Sequence, residues 1–276
     1  MRIVITGSAG QLGQALQATL SGEDLLLMDL PEHDITDYEH TSHRIVDFRP
    51  HVVVHTAAFT NVDQCELEPE TAYRVNALGT QNIALACQRC EAVMVYISTD
   101  YVFDGAKDEP YWEWDRPNPE SVYARSKLAG EYYAQGLLNK FYIVRTAWLY
   151  SRTGKNFVKT VLRLAHERDE LHYVTDEVGS PTYAPDLAEA VTKLIAHPLY
   201  GIYHFTNTGV CSRYEWAKAI LEMTGRPDYP IFPTQGYQRP AKVPTRCELH
   251  NFCGATQLGI TLRPWRDALK DYFRGS

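Results

Sequence analysis

No apolar run in the 276 residues approaches the roughly 20 that a membrane-crossing helix needs, so no membrane partner is expected. No long basic run is present either, and the net charge is −7, which argues against a nucleic-acid surface. An anionic ligand would have to be held by local devices, such as helix N-termini and single arginines. The six cysteines are scattered, which suits a reducing compartment better than a disulfide framework. Cys87 and Cys90 form a C-x-x-C inside a helical pattern, with no second pair at metal spacing, and read as helix thiols; no metal site is expected. His40 and His43 lie in a polar stretch and read as solvated. The chain opens directly into a strand and a glycine turn, so no secretory leader is expected and the cytoplasm is the expected location. There is no internal repeat or low-complexity tract. What remains has the composition of an ordinary globular chain, long enough for one large domain or one large and one small.

The informative stretch is 93–127. An apolar run, Val93-Met94-Val95-Tyr96-Ile97, ends in Ser98-Thr99-Asp100-Tyr101-Val102-Phe103-Asp104-Gly105. A Pro- and acid-rich loop follows, and Tyr123-Ala124-Arg125-Ser126-Lys127 then opens a helical pattern. A short strand that stops on hydroxyls and a carboxylate is how an open α/β sheet presents chemistry, at the carboxyl ends of its strands. A Tyr and a Lys four apart on a helix share one face.

Upstream, Arg2 to Thr6 reads as a first strand, Gly7-Ser8-Ala9-Gly10-Gln11-Leu12-Gly13 as a G-x-x-G-x-x-G turn, and residues 11–20 as a helix. Such glycines let backbone N–H groups approach a pyrophosphate at the helix N-terminus. A second strand, residues 25–28, ends in Asp29 at the distance expected of a carboxylate that bonds the ribose diol of a dinucleotide. No arginine follows closely to receive a 2′-phosphate, so the pattern leans to NADH. Asp34 is a competing carboxylate, with an N-cap for the next helix as its other reading. Residues 51–55 form a buried strand, followed by small residues that let a cofactor pass close to the backbone. Asn76, on a small apolar helix face, either caps a neighbouring backbone group or serves the site.

Strands alternating with helices as far as 141–148 predict a Rossmann-like, doubly wound parallel sheet, with a dinucleotide-binding domain over 1–150. Residues 151–276 are less regular and predict a smaller α/β substrate-binding part, some of it returning to the sheet. Ser212-Arg213-Tyr214-Glu215 reads as a capping box.

With 18 tyrosines, a chance Tyr-x-x-x-Lys match is expected, and Tyr214 with Lys218 supplies one inside that capped helix. Tyr123 with Lys127 follows the strand end instead, and is the candidate proton donor to a carbonyl. The Lys127 ammonium, with a positive nicotinamide, is expected to pull the phenol below its usual value near 10. Thr99, or Ser98, would polarise the carbonyl, and Lys127 would hold the nicotinamide ribose.

In these blocks the chain resembles the dTDP-4-dehydrorhamnose reductase family of extended short-chain dehydrogenase/reductases. The matching segments are 7–13, 34–37, 56–63 (TAAFTNVD), 98–105 (STDYVFDG), 123–131 (YARSKLAGE), 145–150 (RTAWLY), 156–160 (NFVKT) and 179–182 (GSPT). The resemblance implies reduction of the 4-keto group of dTDP-4-dehydro-6-deoxy-L-mannose by NADPH or NADH. It implies Tyr123, Lys127 and Thr99 as catalytic residues. Cofactor contacts are implied at Gly7, Gly10, Gln11, Leu12, Gly13, Asp29, Asp34, Ile35, Ala57, Ala58, Phe59 and Thr60, besides Tyr123 and Lys127. Substrate contacts are implied at Thr99, Asp100, Val102, Phe103, Trp148 and Asn156. A nucleotide sugar is then the small-molecule partner, and a homodimer the candidate assembly.

Two departures from the family pattern bear on which nucleotide sugar binds. Ala147 precedes Trp148 where the family usually has Ser, with Ser151 in place of a following glycine. Arg239-Pro240 is followed by Ala-Lys-Val-Pro-Thr-Arg where the family soon has Ser. Two alternatives stay open at this level. Another nucleotide 4-keto-6-deoxysugar could be the substrate, and the non-enzymatic alternative is an NADP-binding regulatory subunit resembling that of methionine adenosyltransferase. A 4,6-dehydratase is set aside, because it would want an Asp-Glu pair after the threonine and Tyr101 follows Asp100.

Overall fold

In the computed structural model, which describes residues 1–274, five strands of the first half run parallel in one sheet. They are β1 (Arg2–Thr6), β2 (Asp24–Met28), β3 (Val52–His55), β4 (Val93–Thr99) and β5 (Phe141–Thr146). The strand Gly201–His204, from the second half, pairs in parallel with β5 and completes the sheet. The order is Gly201–His204, β5, β4, β3, β1, β2, so the direction of winding reverses between β3 and β1. A crevice opens at the carboxyl ends of strands at such a reversal.

The period-two geometry of a strand sends alternate side chains to opposite faces, and both faces here are apolar. Ile3, Ile5, Val52, Val54 and Val144 pack on one side under the helices Gln11–Thr19 and Ala184–Leu194. Val4, Val53, Met94, Tyr96 and Ile143 pack on the other under Tyr38–Phe48 and Thr80–Cys90. Each fully buried Val, Leu or Ile is worth about 1.5–3 kcal/mol. The continuous apolar runs of β3 and β4 therefore favour the middle of the sheet.

The helical pattern that carries Asn76, Cys87 and Cys90 is interrupted. An α-helical turn at Pro69–Tyr73 passes through a π-helical turn at Arg74–Gly79 before Thr80–Cys90 resumes the α-helix. Asn76 sits in that turn and is buried. Cys87 is buried and Cys90 half-buried; burial raises both thiols, and the Cys90 thiol donates to the Ala86 carbonyl at 3.2 Å.

A second apolar cluster joins the helices Phe157–Glu167, Arg213–Met223 and Trp265–Arg274 around Trp216, Tyr150, Val158 and Leu269. The capping box is present, with Ser212 and Glu215 exchanging hydrogen bonds. Tyr214 and Lys218 lie on this helix, Lys218 exposed. Among the described residues no helix is long and apolar enough to cross a membrane, and no group of three or more His, Cys, Asp or Glu could hold a metal ion.

Candidate active site

The turn after β1 can be built only from glycine at its tight points. Gly7 has φ +67, and a Cβ there would lie 2.7 Å from the Ala57 nitrogen. A Cβ on Gly13 would lie 2.3 Å from the Gly7 carbonyl oxygen. The helix Gln11–Thr19 begins at Gly10 with no side-chain cap, whereas Asp37, Ser121 and Asn156 cap the helices that follow them. Its first N–H groups are left to a ligand, and a diphosphate fits that donor set. Asp29 braces the turn from β2: one carboxylate oxygen accepts from the Ala9 N–H at 2.7 Å, the other from Leu30 N–H at 2.8 Å. Asp34 is not the N-cap; Asp37 is, and the Asp34 carboxylate accepts from Thr36 N–H at 2.8 Å while lining the cleft.

Beyond β3, Ala57, Ala58 and Thr60 line the same cleft, and Ile35 reaches it while packing against Gly79. Phe59 turns away to the cluster of Cys65, Ala72 and Val122, on which Tyr123 also packs. Asn76 fixes this segment by gripping both backbone groups of Phe59, accepting from N–H at 2.8 Å and donating to the carbonyl at 3.0 Å. Backbone capping was one of its two expected readings, and the π-helical turn presents the side chain for it.

At the carboxyl end of β4 the candidate chemical groups meet. The Thr99 hydroxyl donates to Asp100 at 3.0 Å and accepts from the Tyr101 N–H at 3.2 Å. The other Asp100 carboxylate oxygen is buried with no hydrogen-bond partner among the described residues. Burial pushes that carboxyl up to about 7, against the opposing pull of Thr99 and Arg213. Ser98 points instead to Glu131, donating at 2.6 Å.

Tyr123 and Lys127 stand on the helix Val122–Leu137, whose N-terminus Ser121 caps. Burial raises the Tyr123 phenol well above its ordinary value, with the Thr99 hydroxyl opposing. The lowering expected from Lys127 is not found: besides burial, the charges acting on the phenol are those of Asp100, Tyr101 and Cys65, which raise it further. The Lys127 ammonium donates to the Ile97 carbonyl at 2.7 Å and stands 4.1 Å from the Tyr96 ring centre. Burial pushes Lys127 down to about 7, and Glu131 opposes this. Glu131 is itself clamped by Arg145 through two bonds of 3.0 and 2.7 Å, a pair almost wholly buried beneath the site.

A cleft of about 770 Å³ joins these groups to the glycine turn and ends at Trp148 and Arg213. Trp148 has φ 44, a left-handed conformation that non-glycine residues take up at a cost, and its indole fits against Gly179. Not every expected contact faces this space. Val102 and Phe103 are fully buried with Tyr111, Leu128 and Leu249, and support the strand end from behind. Asn156 caps its own helix and donates to Gln11 at 3.1 Å, tying the second half of the chain to the glycine-turn helix. Gly13 lies beneath the turn, whereas Gln11 and Leu12 reach the cleft. The altered C-terminal segment is anchored here too: Arg239 holds Asp63 through bonds of 2.9 and 3.1 Å.

Sequence reasoning missed Arg213, Glu131 and His33. Arg213 carried one usable sign: it is the first residue of a helix, where the helix dipole disfavours a cation. Glu131 was visible only as part of a motif, and His33 only as a residue near Asp29.

Residues 1–275 match the family model described as the RmlD substrate binding domain. A dTDP-4-dehydrorhamnose reductase from Mycobacterium tuberculosis is 41% identical over 280 residues, covering 97% of this chain and 91% of that protein. The spore coat polysaccharide biosynthesis protein SpsK of Bacillus subtilis is 40% identical over 276 residues, covering 99% and 97%. The crystal structure of dTDP-4-dehydrorhamnose reductase from Bacillus anthracis in complex with NADP is similar at a TM-score of 0.96 and 40% identity, covering 100% of this chain and 99% of that one. With a match along its length and relatives at this identity, the chain belongs to the dTDP-4-dehydrorhamnose reductase family.

Proposed function

We propose that the protein reduces the 4-keto group of dTDP-4-dehydro-6-deoxy-L-mannose to the alcohol of dTDP-L-rhamnose, with NADPH or NADH as reductant. The observation that carries this reading is a single cleft with an uncapped helix N-terminus at one end and Thr99, Asp100, Tyr123 and Lys127 at the other. The glycine turn, Asp29 and the small residues at 57–58 would hold the dinucleotide, which supplies hydride when bound. The Thr99 hydroxyl and the unpartnered Asp100 oxygen bind and orient the sugar. Tyr123 delivers the proton to the carbonyl oxygen; its raised ionisation suits a group that must arrive protonated. Lys127, held by the Ile97 carbonyl and pushed down to about 7, can give and take a proton at the floor of the site and so helps to replace the phenol's proton.

In this reading residues 1–150, with the returning strand Gly201–His204, form the dinucleotide-binding part, and the rest of 151–276 forms the substrate-binding part. The homodimer and the cytoplasmic location are proposals from the family resemblance, to be tested by sedimentation and by fractionation. A second reading, another nucleotide 4-keto-6-deoxysugar as substrate, is favoured by Ala147, which lines the sugar end of the cleft where the family usually has Ser.

The test is oxidation of NADPH and of NADH, followed by absorbance, with freshly generated dTDP-4-dehydro-6-deoxy-L-mannose. Oxidation confined to the complete mixture supports the reading. Coenzyme binding without oxidation would reject this substrate.

A further inference from the structure

At the end of the cleft beyond Asp29 the wall is His33. Its Nδ1 lies 2.9 Å from Nε2 of His40, and the two rings are stacked with centroids 5.2 Å apart. His40 stands in the first turn of the helix Tyr38–Phe48, and Arg44 is one turn further along the same helix. None of the three serves the chemistry described above.

Two imidazoles hydrogen-bonded to each other need at least one bare ring nitrogen between them, so the pair is not doubly charged while the contact stands. An anion set against the rings removes the repulsion between two imidazolium ions and lets the pair take up a further proton. The groups facing His33 set the balance. Burial, then His40 and Arg44 from the helix, hold the His33 imidazole below its ordinary value, and Glu32, its chain neighbour, opposes them. Asp29 and Asp34 line the same end of the cleft, with carboxylate oxygens bonded to Ala9, Leu30 and Thr36 N–H groups. Glu39 and His43 also lie on the helix, 3.9 Å apart and exposed.

A dinucleotide whose diphosphate sits at the Gln11–Thr19 helix brings its adenosine ribose to the end of β2, beside Asp29. The substituent at that ribose's 2′ position is what distinguishes NADPH from NADH. We propose that His33 and His40, supported by Arg44, form a proton-gated site for the 2′-phosphate, so that pH sets which coenzyme the protein takes. With the pair charged, the phosphate meets cations. With the pair neutral, Asp29 and Asp34 dominate that end, repel a phosphate and accept a ribose hydroxyl. The inference rests on the dinucleotide reading of the cleft.

Calorimetric titration of the whole protein with NADP+ and NAD+, between about pH 6 and pH 8, separates the two. The expected result is NADP+ affinity about tenfold weaker at the higher pH, with net proton uptake on binding, and an NAD+ affinity that changes far less. Adenosine 2′,5′-bisphosphate, which carries the 2′-phosphate without nicotinamide, should follow NADP+. The phosphate's own second ionisation, near pH 6, works in the opposite direction, so it cannot produce this fall. His33→Asn with His40→Asn should flatten the NADP+ profile and bring its affinity toward that of NAD+. An NADP+ profile that is flat in the native protein, or unchanged in the double variant, overturns the proposal. Failure to bind either coenzyme at any pH would overturn the dinucleotide reading beneath it.

Discussion

The guanidinium of Arg213 lies 3.5 Å from the centre of the Trp148 indole, with Glu177 3.3 Å from its Nε. Both residues are held against local preference, Trp148 by its backbone and Arg213 by its helix dipole. Their meeting at the sugar end of the cleft makes Arg213 the group best placed to bind a negatively charged part of the substrate. Arg213→Ala is expected to raise KM for the nucleotide sugar about 10- to 100-fold, with a smaller effect on kcat, the size of a lost charged hydrogen bond. Steady-state kinetics decide this, and an unchanged KM would sink it.

Tyr123→Phe removes the proposed proton donor but leaves the ring that packs against the cluster of Cys65, Ala72 and Val122. Turnover should fall by about 10²- to 10⁴-fold, with coenzyme affinity close to native. Single-turnover oxidation of bound coenzyme is the measurement; native turnover in this variant would reassign the donor.

Lys127 and Asp100 carry the cost of burial in opposite pH ranges. Lys127, pushed down to about 7, binds fewer protons folded than unfolded between pH 7 and its ordinary value, so its contribution to stability rises with pH across that window. Asp100, pushed up to about 7, binds more protons folded than unfolded from its ordinary value to pH 7, so its contribution falls as pH rises there. The two penalties meet near neutrality in the ligand-free protein. Lys127→Met is therefore expected to abolish most activity while stabilising the ligand-free chain by about 1–3 kcal/mol at pH 7. A urea midpoint lower than native would contradict this.

Glu131 and Arg145 form a buried pair with Ser98 as a third partner. Removing one charge strands the other, so Glu131→Gln should cost about 3–5 kcal/mol, and Glu131→Leu with Arg145→Leu together much less than the sum. A double-mutant cycle read by urea unfolding tests the coupling; simple additivity would mean the two charges act independently.

Much of this fold is legible in local pattern. The apolar runs of β3 and β4, the glycine spacing at 7–13 and the Tyr123–Lys127 pair each lie within a few residues, where periodicity and turn chemistry speak directly. The returning strand Gly201–His204 also has a strand's composition. What local pattern misses depends on packing between distant segments. Val102 and Phe103 look like neighbours of the site because they follow Asp100, yet the 3-10 turn at Asp100–Val102 carries them into the core behind it. The ionisation of Tyr123 turns on burial, which one helical turn of sequence does not display. Arg213 and Trp148 come from separate elements and meet only in three dimensions.

The sheet borrows its last strand from far down the chain, and synthesis on the ribosome delivers that strand late. When β5 emerges, its outer edge has no partner, and Gly201–His204 follows about 55 residues later, roughly 3–11 s at about 5–20 residues per second. During that interval the nascent chain displays an open hydrogen-bonding edge beside the buried-type side chains of Tyr142 and Val144. Yield in a host cell should therefore depend on how fast residues 147–200 are translated, and on the holding chaperones at hand, more than on the stability of the finished protein.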